Sequence, residues 1–241
     1  MADKPKDQKF KFPMPETLAY PVQKVMINYE YEDLELHRLF SNEALAKRES
    51  MVQADLTRRS AHLSADEVSD FYADNADVHG EVFERLQVNS QLVLACSLFE
   101  HQLYSLCDGI KRRSNLPTFV SRKSGGTLGE AKKYLTHAGV KGLFDLKIWS
   151  DVQTIFKVRN AVVHNNLELR NDEDLDKDLL KKLMSDPNLK HKLYLDLDKE
   201  PYLYEFSLSD AYLQDAFAKL KTMIFAVADY RLYPDADADN S

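Results

Sequence analysis

Arg159, Asn160 and His164 are three polar side chains that fall within six residues of an otherwise apolar stretch. Their neighbours Val158 and Val162 are apolar, as in a buried helix. On a helix, Asn160 and His164 lie four positions apart and share one face, whereas Arg159 lies about 100° round the axis. A cation, an amide and an imidazole are costly to desolvate in such a setting. We therefore expect these side chains to be partnered or to face a cleft.

These residue types can together cleave RNA. Histidine changes its charge near neutral pH, so His164 can take the proton of a ribose 2′-hydroxyl that then attacks the adjacent phosphorus. Arginine stays protonated and donates a fork of hydrogen bonds that matches phosphate oxygens, so Arg159 can stabilise the negative charge of the transition state. Asn160 can orient either group, and this chemistry requires no metal ion. The alternative is a helix end whose arginine forms an ordinary salt bridge.

Other catalytic and cofactor motifs are missing from the sequence. No GxxxxGK[ST], GxGxxG, HExxH or GxSxG pattern occurs. Cys96 and Cys107 would lie roughly 16 Å apart on one helix, beyond the reach of a disulfide, and two cysteines are too few for a Cys-rich zinc site. We therefore expect neither a metal nor a cofactor. The loop Ser124-Gly125-Gly126 precedes a helix, and this keeps phosphate or nucleotide binding open as an alternative.

Charge is unevenly distributed along the chain. The net charge of −7 argues against indiscriminate binding of nucleic acid, yet residues 111–147 hold nine basic side chains and only two acidic ones. A phosphate-facing patch and ordinary charges at helix ends both account for this segment. If it is a patch, the expected RNA-binding residues are Lys111, Arg112, Arg113, Arg122, Lys123, Lys132 and Lys133.

Apolar residues recur with a helical period along most of the chain, and the helix-breaking residues glycine and proline are scarce. The predicted helices cover about 29–60, about 68–110 (continuous or hinged near residue 80), about 127–139, a stretch from about 146, and a last stretch after 209. Residues 193–195 and 202–206 alternate in polarity, which predicts a small hairpin.

These elements predict an all-α fold, a bundle of long antiparallel helices over residues 28–232 with a small charged β-hairpin insertion at about 168–207. Residues 168–200 are strongly charged, and we expect them to protrude. Residues 1–27 combine four prolines with no apolar period, so we expect an irregular arm there, and residues 233–241 should form an acidic tail.

The composition, 44% hydrophobic and 29% charged, is that of a folded domain and excludes wholesale disorder. No apolar run approaches the roughly 20 residues that span a bilayer. The first residues lack the apolar core of a secretory signal. We therefore expect no membrane association and a cytoplasmic location.

Residues 149–164 carry Arg159, Asn160 and His164 and resemble the helix that marks the HEPN superfamily. In that helix an arginine, usually with a polar residue next to it, is followed by a histidine after four to six positions. The resemblance extends over about 80–230. An earlier helix carries an acidic residue among apolar ones (98–103, with Glu100), a short helix follows (128–135), and an amphipathic helix closes the bundle (209 to about 230).

The resemblance implies a helical bundle that dimerises, so that two such helices form one RNA-cleaving cleft. It implies a metal-independent endoribonuclease in a toxin or antiviral defence role, with Glu100 as a further candidate for the site and with a neutralising or regulatory protein partner. Relatives that have lost activity act as adaptors, so a non-catalytic dimerisation or scaffold module is the alternative. In a monomer whose helix packs wholly inside its own bundle, Arg159 would instead pair with a carboxylate such as Glu100.

Overall fold

A computed structural model describes residues 16–64, 66–71, 81–114, 126–140, 142–172, 175–195 and 201–232. The described chain is mostly helical and carries one small antiparallel sheet, which confirms the mostly helical class. The helices are α1 (Glu16–Ser60), α2 (Glu81–Ser114), α3 (Gly126–His137), α4 (Lys147–Asn165), α5 (Lys177–Ser185) and α6 (Asp210–Leu232), with a further helical stretch at 66–71 and a 3-10 turn at Leu143–Asp145. The strands are β1 (Glu168–Arg170), β2 (Leu189–Leu195) and β3 (Pro201–Leu208).

Helices α2 and α6 pack together at the centre of the molecule, and both α4 and α1 pack against them. The side chains that fill this centre are fully buried, among them Leu92, Phe99, Leu103, Leu213, Leu220 and Met223. Phe99 meets Phe156 of α4 edge to face, with the ring centroids 5.8 Å apart. Because burial of one such side chain stabilises by roughly 1.5–3 kcal/mol, this core fixes α4 and the polar residues that it carries.

Helix α1 is longer than the sequence analysis predicts. It starts at Glu16, so the irregular arm expected over residues 1–27 is wrong for 16–27, and residues 1–15 lie outside the described part of the chain. Ile27, Tyr31 and Leu34 are buried at helical spacing on one face of α1. Their packing offsets the intrahelical hydrogen bond that Pro21 cannot donate.

A buried cation ties α1 to the start of α6. Arg38 is only 4% exposed, and its guanidinium pairs with Glu35, at 2.6 Å, and with Asp210. Asn42 donates a second hydrogen bond to Asp210 at 2.7 Å. Burial by itself would raise the pKa of Asp210, but the hydrogen bonds from Arg38, Asn42 and Gln214 outweigh it and lower that pKa. The charge of Arg38 is therefore compensated where the helices meet.

The sheet has the strand order β1-β3-β2, and both pairings are antiparallel. The pair β2–β3 confirms the predicted hairpin and is longer than expected, since Leu189 lies opposite Leu208 and His191 opposite Phe206. Strand β1 adds a short third strand in which Leu169 lies opposite Tyr204.

The expectation that residues 168–200 protrude is wrong for the residues that the structure describes there. The segment contains a helix, α5, and places Leu169, Leu179, Leu183 and Leu189 in the hydrophobic core. Its charged side chains lie on the outer face of these elements, and this outer face dominates the composition. A few leucines at the right spacing are enough to fold the segment back onto the bundle.

Candidate functional site

Helix α4 carries Arg159, Asn160 and His164, and its apolar face decides how they are presented. Trp149, Val152, Ile155, Phe156, Val158 and Ala161 are buried on that face. Asn160 and His164 lie outside the buried face and are exposed, whereas Arg159 is half-buried at its edge. The shared face predicted for Asn160 and His164 is therefore present.

A tight turn ends α4 directly after this group. Asn166 and Leu167 both have left-handed backbone conformations, with φ angles of 51° and 62°. The Asn166 N–H donates to the Val162 carbonyl, and the Leu167 N–H donates to the Ala161 carbonyl, each at 3.1 Å. Leu167 is fully buried, which fixes the reversal in place. Since the chain turns back here, β1 runs beside the last turn of α4.

Arg159 points across to α2 and forms an ion pair with Glu100. Its Nη2 lies 3.1 Å from Glu100 Oε1, and the two side chains are 23% and 25% exposed. The guanidinium carbon lies 5.2 Å from the centre of the Phe156 ring, within the range of a cation–π contact. Cys96 is close by on α2: burial raises the pKa of its thiol to about 12, although the Arg159 charge opposes that rise.

Asn160 and His164 face a different part of the molecule. They line a groove of about 510 Å³ between α4, β1 and the segment that leads into α5. Its other lining residues are Lys157, Ala161, Asn165, Glu168, Leu169, Arg170, Asp172, Leu175, Asp176 and Leu179. Arg159 is not among them. Within one chain, the structure therefore brings Asn160 and His164 together and directs Arg159 elsewhere.

One wall of the groove is fastened to α4 by two polar contacts. Lys157 Nζ lies 2.6 Å from Asp176 Oδ2, and Lys182 of α5 donates to the Thr154 hydroxyl at 2.8 Å. Asp176 also accepts the N–H of Leu179 at 2.9 Å and so caps α5. The hydrogen bond from Lys157, followed by the one from Leu179, lowers the pKa of Asp176. The Asp176 carboxylate therefore stays ionised beside Lys157.

The groove is electrostatically mixed. Lys157 and Arg170 contribute positive charge, and Glu168, Asp172 and Asp176 contribute negative charge. These five residues are not part of the predicted site, because four of them lie outside α4, in the segment interpreted as a protruding insertion. The sequence feature that could have indicated this wall is the pair Leu179 and Leu183, whose helical spacing predicts that α5 packs against the bundle.

Among the basic residues predicted to bind RNA, Lys111, Lys132 and Lys133 have described side chains, and none of these three lines the groove. Lys133 pairs with Glu130 at 3.1 Å, and Lys132 lies 5.5 Å from the centre of the Phe144 ring. Lys111 is half-buried near the end of α2. For Arg112 and Arg113 the structure describes the helical backbone alone, and Arg122 and Lys123 lie outside the described residues.

Comparisons of the chain with protein-family models, with curated proteins and with solved structures find no match. Among the described helices, none is both long and apolar enough to cross a membrane. In the same part of the chain, no three His, Cys, Asp or Glu side chains are grouped as metal ligands would be.

Proposed function

We propose that this protein is a metal-independent endoribonuclease of the HEPN type. The observation that carries the proposal is that Asn160 and His164 are both exposed and line one groove at the end of α4. An accessible imidazole beside an amide, in a groove of about 510 Å³, is suited to hold and deprotonate a hydroxyl of a polymer. A role in toxin or antiviral defence, under a neutralising or regulatory partner protein, belongs to the same proposal.

The proposed reaction is an internal transfer within RNA. His164 takes the proton of the ribose 2′-hydroxyl, the 2′-oxygen forms a bond to the adjacent phosphorus, and the bond from phosphorus to the 5′-oxygen breaks. The leaving 5′-oxygen takes up a proton from the imidazolium or from water. The products are a 2′,3′-cyclic phosphate and a free 5′-hydroxyl. Asn160 orients the ribose or the imidazole, and Arg159 stabilises the charge on the phosphate.

Arg159 needs a second chain to take part in this scheme. In one chain its guanidinium is held by Glu100 and does not line the groove. We propose a homodimer in which two α4 helices face each other, so that Arg159 of one chain and His164 of the other act on one RNA. The exposed Val163, which lies between these residues on α4 and is 53% exposed, is an apolar contact available to such a pair.

RNA affinity is assigned to the basic segment over residues 111–147. We assign binding to this segment because its positive charge contrasts with the mixed charge of the groove. Among the seven basic residues predicted to bind RNA, the structure describes the side chains of Lys111, Lys132 and Lys133.

The test is cleavage of a defined RNA in the presence of a metal chelator. Parent protein should cleave it, and His164→Ala should lose about 10²–10⁴-fold in rate because one proton-transfer group is gone. His62→Ala is the matched control, since His62 is also exposed but follows the end of α1, outside both the groove and the basic segment. Equal rates for His164→Ala and the parent would reject the ribonuclease proposal. Arg159→Lys should also cleave poorly, because an ammonium cannot reproduce the two-pronged contact with phosphate.

A non-catalytic dimerisation or scaffold module is the second candidate. The observations that favour it are the Arg159–Glu100 ion pair, which gives the arginine a structural partner, and the three carboxylates in the groove, which repel phosphate. For such a module, Arg159→Ala changes stability, and neither the parent nor any variant cleaves RNA.

A further inference from the structure

Helix α1 presents a continuous stripe of exposed residues on the face that points away from the bundle. The stripe repeats at steps of four and three and comprises Val22, Met26, Tyr29, Asp33, Leu36, Phe40, Ala44, Lys47, Met51, Ala54 and Arg58, all of them exposed. At 3.6 residues per turn these positions fall within an arc of about 80°. Ile27, Tyr31, Leu34 and Arg38 are buried on the opposite side. The stripe is thus one face of the helix.

The stripe is more apolar than a solvated helix face. Phe40 is 66% exposed, Met51 65% and Tyr29 58%. Large apolar side chains that line up on one surface are typical of interaction sites. Leu36 and Ala44 flank Phe40, so five of the seven central positions are apolar. The two that are not are Asp33 and Lys47.

The order of residue types along the stripe is symmetric about Phe40. Asp33 lies seven residues before Phe40 and Lys47 seven residues after it, while Tyr29 and Met51 lie eleven residues to either side. A second α1 that runs antiparallel about a two-fold axis at Phe40 places Phe40 on Phe40, Leu36 on Ala44, Asp33 on Lys47 and Tyr29 on Met51. Each chain then supplies an acid opposite a base of the other, twice in the dimer.

The opposite alignment is unfavourable. A parallel, in-register pair sets Asp33 against Asp33 and Lys47 against Lys47, and like charges that face each other in an interface are repulsive. The wider charge distribution agrees, because residues 28–37 hold four acidic side chains and neither lysine nor arginine, whereas residues 44–59 hold four basic and two acidic ones. Antiparallel pairing brings the acidic half of one α1 onto the basic half of the other.

We propose that this face of α1 is a self-association surface that pairs with α1 of a second copy of the chain, antiparallel and centred on Phe40. From Val22 to Arg58 the stripe runs for about 54 Å, at 1.5 Å per residue. None of its residues lines the groove that holds Asn160 and His164. The surface is therefore separate from the proposed catalytic site, and mutations can disable either one alone.

Charge reversal tests the pairing through the molar mass in solution. Asp33→Lys and Lys47→Asp should each weaken self-association at least about tenfold, because each creates two like-charged contacts per dimer. An equimolar mixture of the two variants should regain it, since a mixed pair has opposite charges at both contacts. A chain that carries both reversals should also associate like the parent. Glu49→Lys is the control for Asp33→Lys, with the same change in net charge at an exposed position away from the stripe.

Cysteine cross-linking tests the direction of the pair. Phe40→Cys should form a disulfide between two chains, while the native Cys96 and Cys107 are buried and do not compete. Tyr29→Cys alone should not cross-link, because its two copies lie roughly 33 Å apart in the antiparallel arrangement. A mixture of Tyr29→Cys and Met51→Cys chains should form disulfides between the two kinds of chain. Cross-linking of Tyr29→Cys with itself, a monomeric parent, or an unchanged mass for Asp33→Lys would each overturn the proposal.

Discussion

Arg159 of α4 and Glu100 of α2 form an ion pair across the two helices, with Nη2 and Oε1 3.1 Å apart and about a quarter of each side chain exposed. The pair lies where Phe99 and Phe156 also connect these helices. Arg159 therefore has a structural partner in addition to any part that it plays in catalysis. Because the ion pair is neither fully buried nor fully solvated, we expect its contribution to stability to lie between that of an exposed pair and that of a buried pair.

We expect a coupling energy of about 1 kcal/mol between Arg159 and Glu100. Glu100→Gln removes the charge of the acceptor but keeps its shape, and Arg159→Met removes the guanidinium donors. The free energy of unfolding of both single variants and of the double variant, measured with urea, gives this coupling. The more exposed pair Asp55 and Arg58 is the control and should show a smaller value. A coupling of zero for Arg159 and Glu100 would mean that the contact does not contribute to stability.

The positions of Asn160 and His164 could be predicted from the sequence, because four-residue spacing on a helix is a local property. The partner of Arg159 could only be named as a candidate. Pairing between residues 59 positions apart depends on how α4 and α2 are rotated about their axes, and an apolar period fixes this only within a broad arc. The helical period of apolar residues predicted most of the helices, and the alternation of polarity predicted the hairpin.

The far wall of the groove could not be predicted. Helix α5 has nine residues, and its burial depends on Leu179 and Leu183 within a highly charged segment. Isolated helices of this length are marginal in water, so contacts with the rest of the fold decide whether they form. Asp172 and Asp176 enter the groove only through that packing. The twelve helical residues 16–27 escaped prediction for a similar reason, since buried Ile27 and Tyr31 outweigh Pro21.

The Lys157–Asp176 contact should make stability depend on pH in the acid range. The lowered pKa of Asp176 means that its carboxylate stabilises the fold above the usual aspartate value of about 3.8, and this stabilisation is lost as the pH falls through the lower pKa of the folded state. Asp176→Asn retains a side-chain oxygen for capping α5 and removes the charge. The difference in unfolding free energy between the parent and this variant should be present at pH 6 and shrink below about pH 4. A difference that is the same at pH 6 and pH 3 would contradict this origin.

Reversal of Lys132 and Lys133 to Glu should weaken RNA binding without affecting the chemical step. The expected result is a raised KM, an unchanged kcat and a flatter dependence of binding on salt, because fewer counterions are released. Reversal of Lys190 and Lys192 on β2 provides a matched change of charge outside the basic segment. The same salt slope in the Lys132/Lys133 variant as in the parent would show that these lysines are ordinary solvated charges.

Mixing two inactive variants should show whether one site draws residues from two chains. Arg159→Ala lacks the phosphate contact and His164→Ala lacks the proton acceptor, so each alone should be inactive. In an equimolar mixture that exchanges freely, half of the dimers contain one chain of each kind, and one of their two shared sites is intact. Activity should then return to about one quarter of the parent value. If Arg159 and His164 instead act within the same chain, every site in the mixture lacks one of them and no activity returns. Light scattering over a dilution series identifies the concentrations at which the chain is dimeric. An inactive mixture counts against the shared site only at those concentrations.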